Sequence, residues 1–206
     1  HEDKYYGGRG NSKRNSHEDE YYEGRGNSKR NSNYTDESYK ETESEVSNNL
    51  NEQEKLLELG WECYLKKSFE EAITHYTEVI ENNKENHLAY FRRGLARIQK
   101  ADYFEAQEDF DYACGIDTQN VAYLINLGLS KHLLGDFQGA LKVFNKAIKI
   151  DPLNSKAYLN RGESNAELEK YFEALEDFNE SIKLDPNNEE AYYSRGNLGL
   201  KNRKYK

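Results

Sequence analysis
From residue 51 onward, apolar residues recur every three or four positions, the spacing that gathers them on one side of an α-helix. The run KLLELGWECYL (55–65) opens this region behind NEQE (51–54), in which Asn51 and Glu54 have the spacing of a helix-capping box. One stretch holds more apolar residues than a single helical face can bury. In AYLINLGLSKHLLGDF (122–137), Tyr123, Leu124, Ile125, Leu127, Leu129, Leu133 and Leu134 point in several directions. The expectation is a helix with two apolar sides. Tyr123, Leu124, Leu127 and Leu134 would join Gly128 against a core, while Ile125, Leu129 and Leu133, with Asn126 between them, would face a second surface.

Residues 1–50 show neither helical nor strand periodicity. HEDKYYGGRGNSKRNS (1–16) is nearly duplicated as HEDEYYEGRGNSKRNS (17–32), and an acidic stretch runs on to residue 50. Tyrosine is the only bulky residue in the duplicated units, too little apolar surface to offset ordering entropy, so a disordered low-complexity tail is expected here.

The helical region carries a second, longer period. Gly60, Gly94, Gly128, Gly162 and Gly196 are each 34 residues apart, and Ala72, Ala106, Ala140 and Ala174 keep the same step. Aromatic residues keep this register at Tyr76, Phe110, Phe144 and Phe178, and again at Phe69, Tyr103, Phe137, Tyr171 and Tyr205. A fixed period of this size signals stacked helical hairpins, with small residues where helices approach and rings beside them. These positions resemble the tetratricopeptide repeat (TPR) pattern, W-x2-L-G-x2-Y, then A-x3-F, then P. The resemblance implies an all-α, right-handed superhelical solenoid over 51–206. Its repeats are 53–86, 87–120, 121–154 and 155–188, with a partial repeat at 189–206. Pro152 and Pro186 lie where a second helix should end, and Lys84 and Thr118 in that register predict less sharply specified junctions. Position 11 of repeats 2 to 4 is polar (Arg97, Lys131, Asn165), at odds with the usual tyrosine.

Position 7 is arginine in repeats 2 and 4 (Arg93, Arg161), where position 23 is aspartate (Asp109, Asp177). In repeats 1 and 3 the same positions hold Leu59 with His75 and Leu127 with Val143. This covariation within one chain predicts ion pairs Arg93–Asp109 and Arg161–Asp177 within ~4 Å, linking the two helices of each repeat.

Composition narrows the function. The net charge of −9 and pI near 5.2 disfavour binding of phosphate backbones, so nucleic acid is not an expected partner. No apolar run approaches the ~20 residues that span a bilayer, so no membrane association is expected. The two cysteines, Cys63 and Cys114, are too few for a disulfide framework and fall in helical patterns, where buried thiols and a cytoplasmic setting are expected. The five histidines form no metal-ligand pattern, and neither a nucleophile motif nor a phosphate-binding glycine loop occurs. No catalytic residue, metal, cofactor or small-molecule substrate is therefore expected.

In the family that this chain resembles, the outward half of each first helix lines a concave groove that holds peptides. That half is unusually apolar here, which marks a binding surface. The residues assigned to it are Leu57, Trp61, Phe91, Leu95, Ile125, Asn126, Leu129, Lys156, Leu159 and Asn160. The family's clamp for a C-terminal carboxylate needs Lys and Asn at positions 5 and 9, Asn at 6 of the next repeat, then Lys and Arg at 2 and 6. The nearest register holds Phe91, Leu95, Asn126, Lys156 and Asn160, so only Asn126 and Lys156 match. The expectation is a non-enzymatic adaptor holding a protein segment by apolar anchors. Three alternatives stand beside it: a co-chaperone-like protein with a non-standard clamp, a nucleic-acid-associated protein acting through its tail, and a fragment of a larger repeat protein. The fragment reading rests on the half repeat at the C-terminus and the absence of methionine.

Overall fold
The computed structural model describes residues 52–203, with side chains described to residue 199. The expected tail and Asn51 lie outside the described residues. Nine helices fill the described span: α1 (52–65), α2 (Phe69–Asn82), α3 (His87–Gln99), α4 (Tyr103–Ile116), α5 (Val121–Leu133), α6 (Phe137–Ile150), α7 (Ser155–Glu167), α8 (Tyr171–Leu184) and α9 (Glu189–Arg203). Starts of α2, α4, α6 and α8 fall 34 residues apart, as do those of α3, α5, α7 and α9.

Local chemistry repeats as faithfully as the glycines. Asn86, Asn120 and Asn154 cap α3, α5 and α7, each side-chain oxygen accepting the N–H three residues on at 3.0, 3.3 and 3.2 Å. Asn188 accepts likewise from Ala191 at 3.1 Å. Position 31 ends every second helix with Asn83, Asp117, Asp151 or Asp185. Each accepts the N–H two residues further on at 3.0–3.3 Å. These turns form with or without proline, so the first two junctions are as well defined as the last two. The local hydrogen bond, present in all four, replaces what Pro152 and Pro186 add in two.

The turn inside each repeat is a Schellman ending. The N–H at position 16 donates to the carbonyl at position 11, and that at position 15 to position 12. Position 15 must then be left-handed. It is Gly135 (φ 81°) in repeat 3, but Lys67, Ala101 and Glu169 (φ 62°, 63° and 59°) elsewhere. A Cβ in this region costs about 1–2 kcal/mol, partly offset by glycine's looser unfolded chain. Ala101→Gly should therefore raise the urea midpoint by an amount worth about 0.5–1 kcal/mol, and Gly135→Ala should lower it.

Each hairpin closes on its glycine. The fully or almost fully buried rings of Tyr76, Phe110, Phe144 and Phe178 press on Gly60, Gly94, Gly128 and Gly162. A Cβ there would meet ring carbon closer than 3.0 Å. Ala72, Ala106, Ala140 and Ala174 are fully buried beside them. Among the described helices, first helices of successive repeats touch (α3 with α5, α5 with α7, α7 with α9), whereas second helices do not touch one another. The stack therefore curves, with first helices on its inner side.

Candidate functional site
The inner side carries an apolar strip, but curvature narrows it relative to expectation. Ile125 (8% exposed), Asn126 (6%) and Leu159 (3%) are buried rather than open to a groove. Positions 5 and 6 sit at the edge of the helical wheel, and the neighbouring first helix covers them. Asn126 donates its amide to the Ala122 carbonyl at 2.8 Å. Phe91 is half-buried, its ring 4.6 Å from that of Tyr123 and 5.8 Å from that of Phe110, and Leu95 packs on the same core. Leu57 is half-buried against the clusters around Tyr76 and Ile80. Leu134 departs in the other direction: 42% exposed, it is no core residue.

What stays accessible lies at positions 9, 12 and 13. Half-buried Trp61 stacks on Tyr64 at 5.1 Å, and the Arg92 guanidinium stands 5.3 Å over its ring while donating to the Leu57 carbonyl at 3.2 Å. Leu129 is half-buried, and Leu65 (57%) and Leu133 (39%) are exposed. Lys156 is exposed, and Asn160 is half-buried, its carbonyl accepting from Ser164 at 3.0 Å.

Further along, the inner side turns acidic. Ser194 donates to Glu163 at 3.0 Å; burial, with help from the Glu190 and Glu167 carboxylates, pushes the Glu163 carboxyl above the ordinary range. Between the two ends, His132 Nδ1 lies 2.9 Å from the Ser164 hydroxyl, and burial lowers its pKa. Cys114 is buried and its thiol pushed up to about 12, an inert state; Cys63, expected buried, is half-buried. Among the described residues no group of three or more His, Cys, Asp or Glu could hold a metal ion, and no helix is long and apolar enough to cross a membrane.

The two expected ion pairs form. Arg93 Nη2 meets Asp109 Oδ1 at 2.7 Å, and Arg161 Nη2 meets Asp177 Oδ1 at 2.5 Å. Two of the three polar residues at position 11 belong to the same assemblies: Arg97 Nη1 reaches Asp109 Oδ2 at 2.7 Å, and Asn165 donates to Asp177 at 2.9 Å. Each arginine of position 7 also crosses to the preceding repeat, Arg93 to Thr77 at 3.1 Å and Arg161 to Asn145 at 2.7 Å. Each lies over the tyrosine three residues before it, Tyr90 at 5.4 Å and Tyr158 at 5.3 Å. Sequence reasoning missed the position-25 acceptors and the asparagine caps, although Asn86, Asn120, Asn154 and Asn188 are themselves 34 residues apart.

Family models agree with this architecture. One described as TPR repeat matches residues 130–169 and 162–202, and one described as tetratricopeptide repeat matches 66–121. No curated protein matches the chain. Among solved structures, MamA (41-end) from Desulfovibrio magneticus RS-1 is similar with TM-score 0.68 and 18% identity, over 74% of this chain and 86% of that one. YrrB, described as a TPR protein with an unusual peptide-binding site, is similar with TM-score 0.61 and 22% identity, over 72% and 76%. The first TPR of Spaghetti (RPAP3), bound to the HSP90 peptide SRMEEVD, is similar with TM-score 0.53 and 25% identity, over 55% and 90%.

Proposed function
The chain belongs to the tetratricopeptide repeat family, and from that premise we propose that it is a non-enzymatic adaptor that seats a protein segment along the inner side of its solenoid. The observation that carries this reading is the strip Trp61, Leu65, Leu129 and Leu133, large apolar side chains that stay exposed (Leu65, Leu133) or half-exposed (Trp61, Leu129) on the curved side. Trp61 is the natural anchor, since a ring already held between Tyr64 and Arg92 loses little freedom on binding. The carboxylates at the other end (Glu163, Glu167, Glu190) favour a segment that is basic beside its apolar residues. A carboxylate-terminated, acidic peptide such as the one bound by the RPAP3 domain fits poorly, because Phe91 and Leu95 stand where the clamp needs Lys and Asn, and Asn160 stands where it needs Arg.

Selection from a random displayed-peptide library against the full chain should enrich sequences sharing an apolar anchor with Lys or Arg nearby. Trp61→Ala with Leu133→Ala should weaken the selected peptides by about tenfold or more, with helicity unchanged. Equal affinity in the variant would remove the inner strip as the site. Phe91 is unsuitable for this test because its ring is part of the core.

A further inference from the structure
Second helices of successive repeats do not touch, so each such pair leaves a gap on the outer side, floored by the first helix between them. Repeat 2 fills its gap with cations of its own. Arg97 binds Asp109 and donates to the Glu105 carbonyl at 3.1 Å, and Lys100 bridges Glu70 of repeat 1 to Asp102. Repeat 4 carries Asn165 and Leu168 in the registers of Arg97 and Lys100. Here the gap between α6 and α8 holds a pocket of about 250 Å³, with Arg161 and Asn165 of α7 at its floor and Leu141, Glu173 and Glu176 along its walls.

This pocket offers acceptors that lack donors. Asn165 is 6% exposed and gives its amide to Asp177 Oδ2 at 2.9 Å. A carboxylate clamped by arginine only accepts, so the carbonyl oxygen of Asn165 is left over, and it has no hydrogen bond among the described residues. The Glu173 and Glu176 carboxylates likewise hold no ion pair among the described residues. Arg161 cannot serve them, because Nε and Nη2 are held by Asp177 and Nη1 by Asn145 at 2.7 Å. Arg161 and Lys170 face the three carboxylates of Glu173, Glu176 and Asp177, so the lining is one positive charge short.

We propose that this pocket binds a guanidinium group, seated where Arg97 lies in repeat 2. Its N–H fork would donate to the Asn165 carbonyl oxygen and the two free carboxylates, with its flat face on Leu141. An ammonium fits less well, being a compact, strongly hydrated charge that gains little from an apolar wall. A metal ion is disfavoured, since no group of three or more His, Cys, Asp or Glu among the described residues could hold one. The site faces away from the inner strip and does not depend on it.

Agmatine, a free guanidino compound, and the blocked peptide acetyl-Gly-Arg-Gly-amide test this when titrated into the ¹⁵N-labelled full chain and followed by amide chemical shifts. Saturable shifts centred on residues 161–177 are expected, with Kd about 1 mM or tighter. The lysine and citrulline versions of the peptide should bind about tenfold more weakly or worse. So should the arginine peptide to Glu173→Gln with Glu176→Gln, two exposed positions whose change leaves the fold intact. Asn165→Arg refills the pocket from within, as repeat 2 does, and should abolish binding while raising the melting temperature. Trp61→Ala with Leu133→Ala should leave binding unchanged. A peptide that binds more tightly than agmatine would assign the guanidinium to a protein's arginine, and the reverse order to a free guanidino compound. No saturation up to about 20 mM, or citrulline or lysine peptides that bind as well as arginine, would overturn the proposal. So would undiminished binding in Asn165→Arg or in the double glutamine variant, or its loss in the inner-strip variant.

Discussion

Asp109→Ala should destabilise the solenoid by about 3–5 kcal/mol, read as a fall in the urea unfolding midpoint. The carboxylate is 2% exposed and serves two guanidiniums, with Arg93 Nε at 3.0 Å and Nη2 at 2.7 Å, and Arg97 Nη1 at 2.7 Å. Removing it leaves two largely buried cations facing each other across a cavity. They keep only partial partners, Thr77 for Arg93 and the Glu105 carbonyl for Arg97. The expected loss therefore reflects stranded charge rather than the worth of the pair. Repeat 3 supplies the control, since it closes the same joint with Leu127, Lys131 and Val143. The triple variant Arg93→Leu, Arg97→Lys, Asp109→Val should recover most of the loss. A triple variant as unstable as Asp109→Ala would show that Arg93 acts mainly through its tie to Thr77 of repeat 1.

The repeat was legible because its determinants are side chains at fixed spacing: glycines, alanines and rings each mark one face of one helix. The Arg–Asp pairs were legible for a related reason, since repeats 2 and 4 change together at two positions while repeats 1 and 3 carry no such pair. The site was less so. A helical wheel divides a helix into two halves, but Ile125 and Leu159 are buried by a neighbouring first helix, and only the curvature of the stack decides how near it comes. Position 11 failed differently. Arg97 and Asn165 look like broken packing until Asp109 and Asp177 stand opposite them. The left-handed residues carry no signal in their side chains, because lysine, alanine and glutamate occupy a conformation that only Gly135 advertises.

Phe144→Ala is expected to cost a further large sum, about 3–5 kcal/mol. The ring is fully buried, and it lies so close over Gly128 that a Cβ there would stand closer than 3.0 Å to ring carbon and force the ring to shift. Its position in the chain matters as much as its burial. Helix α6 packs on both α5 and α7, so repeat 3 joins repeats 1 and 2 to repeat 4, and in a linear array stability passes only between neighbours. Weakening that joint should uncouple the two sides. Trp61, the single tryptophan, reports on repeat 1, whereas far-UV circular dichroism reports on every helix. In the native chain the two transitions should coincide; in Phe144→Ala they should separate, with the tryptophan signal moving less. Gly128→Ala attacks the same contact from the other side and should cost about 1–3 kcal/mol by overpacking. Combined with Phe144→Leu, which shortens the side chain, the added methyl gains room. The double variant should then be more stable than the two single losses predict by about 1 kcal/mol. Strict additivity would mean that the glycine and the ring do not compete for one space, and the small-residue seat would lose its role in closing the hairpin.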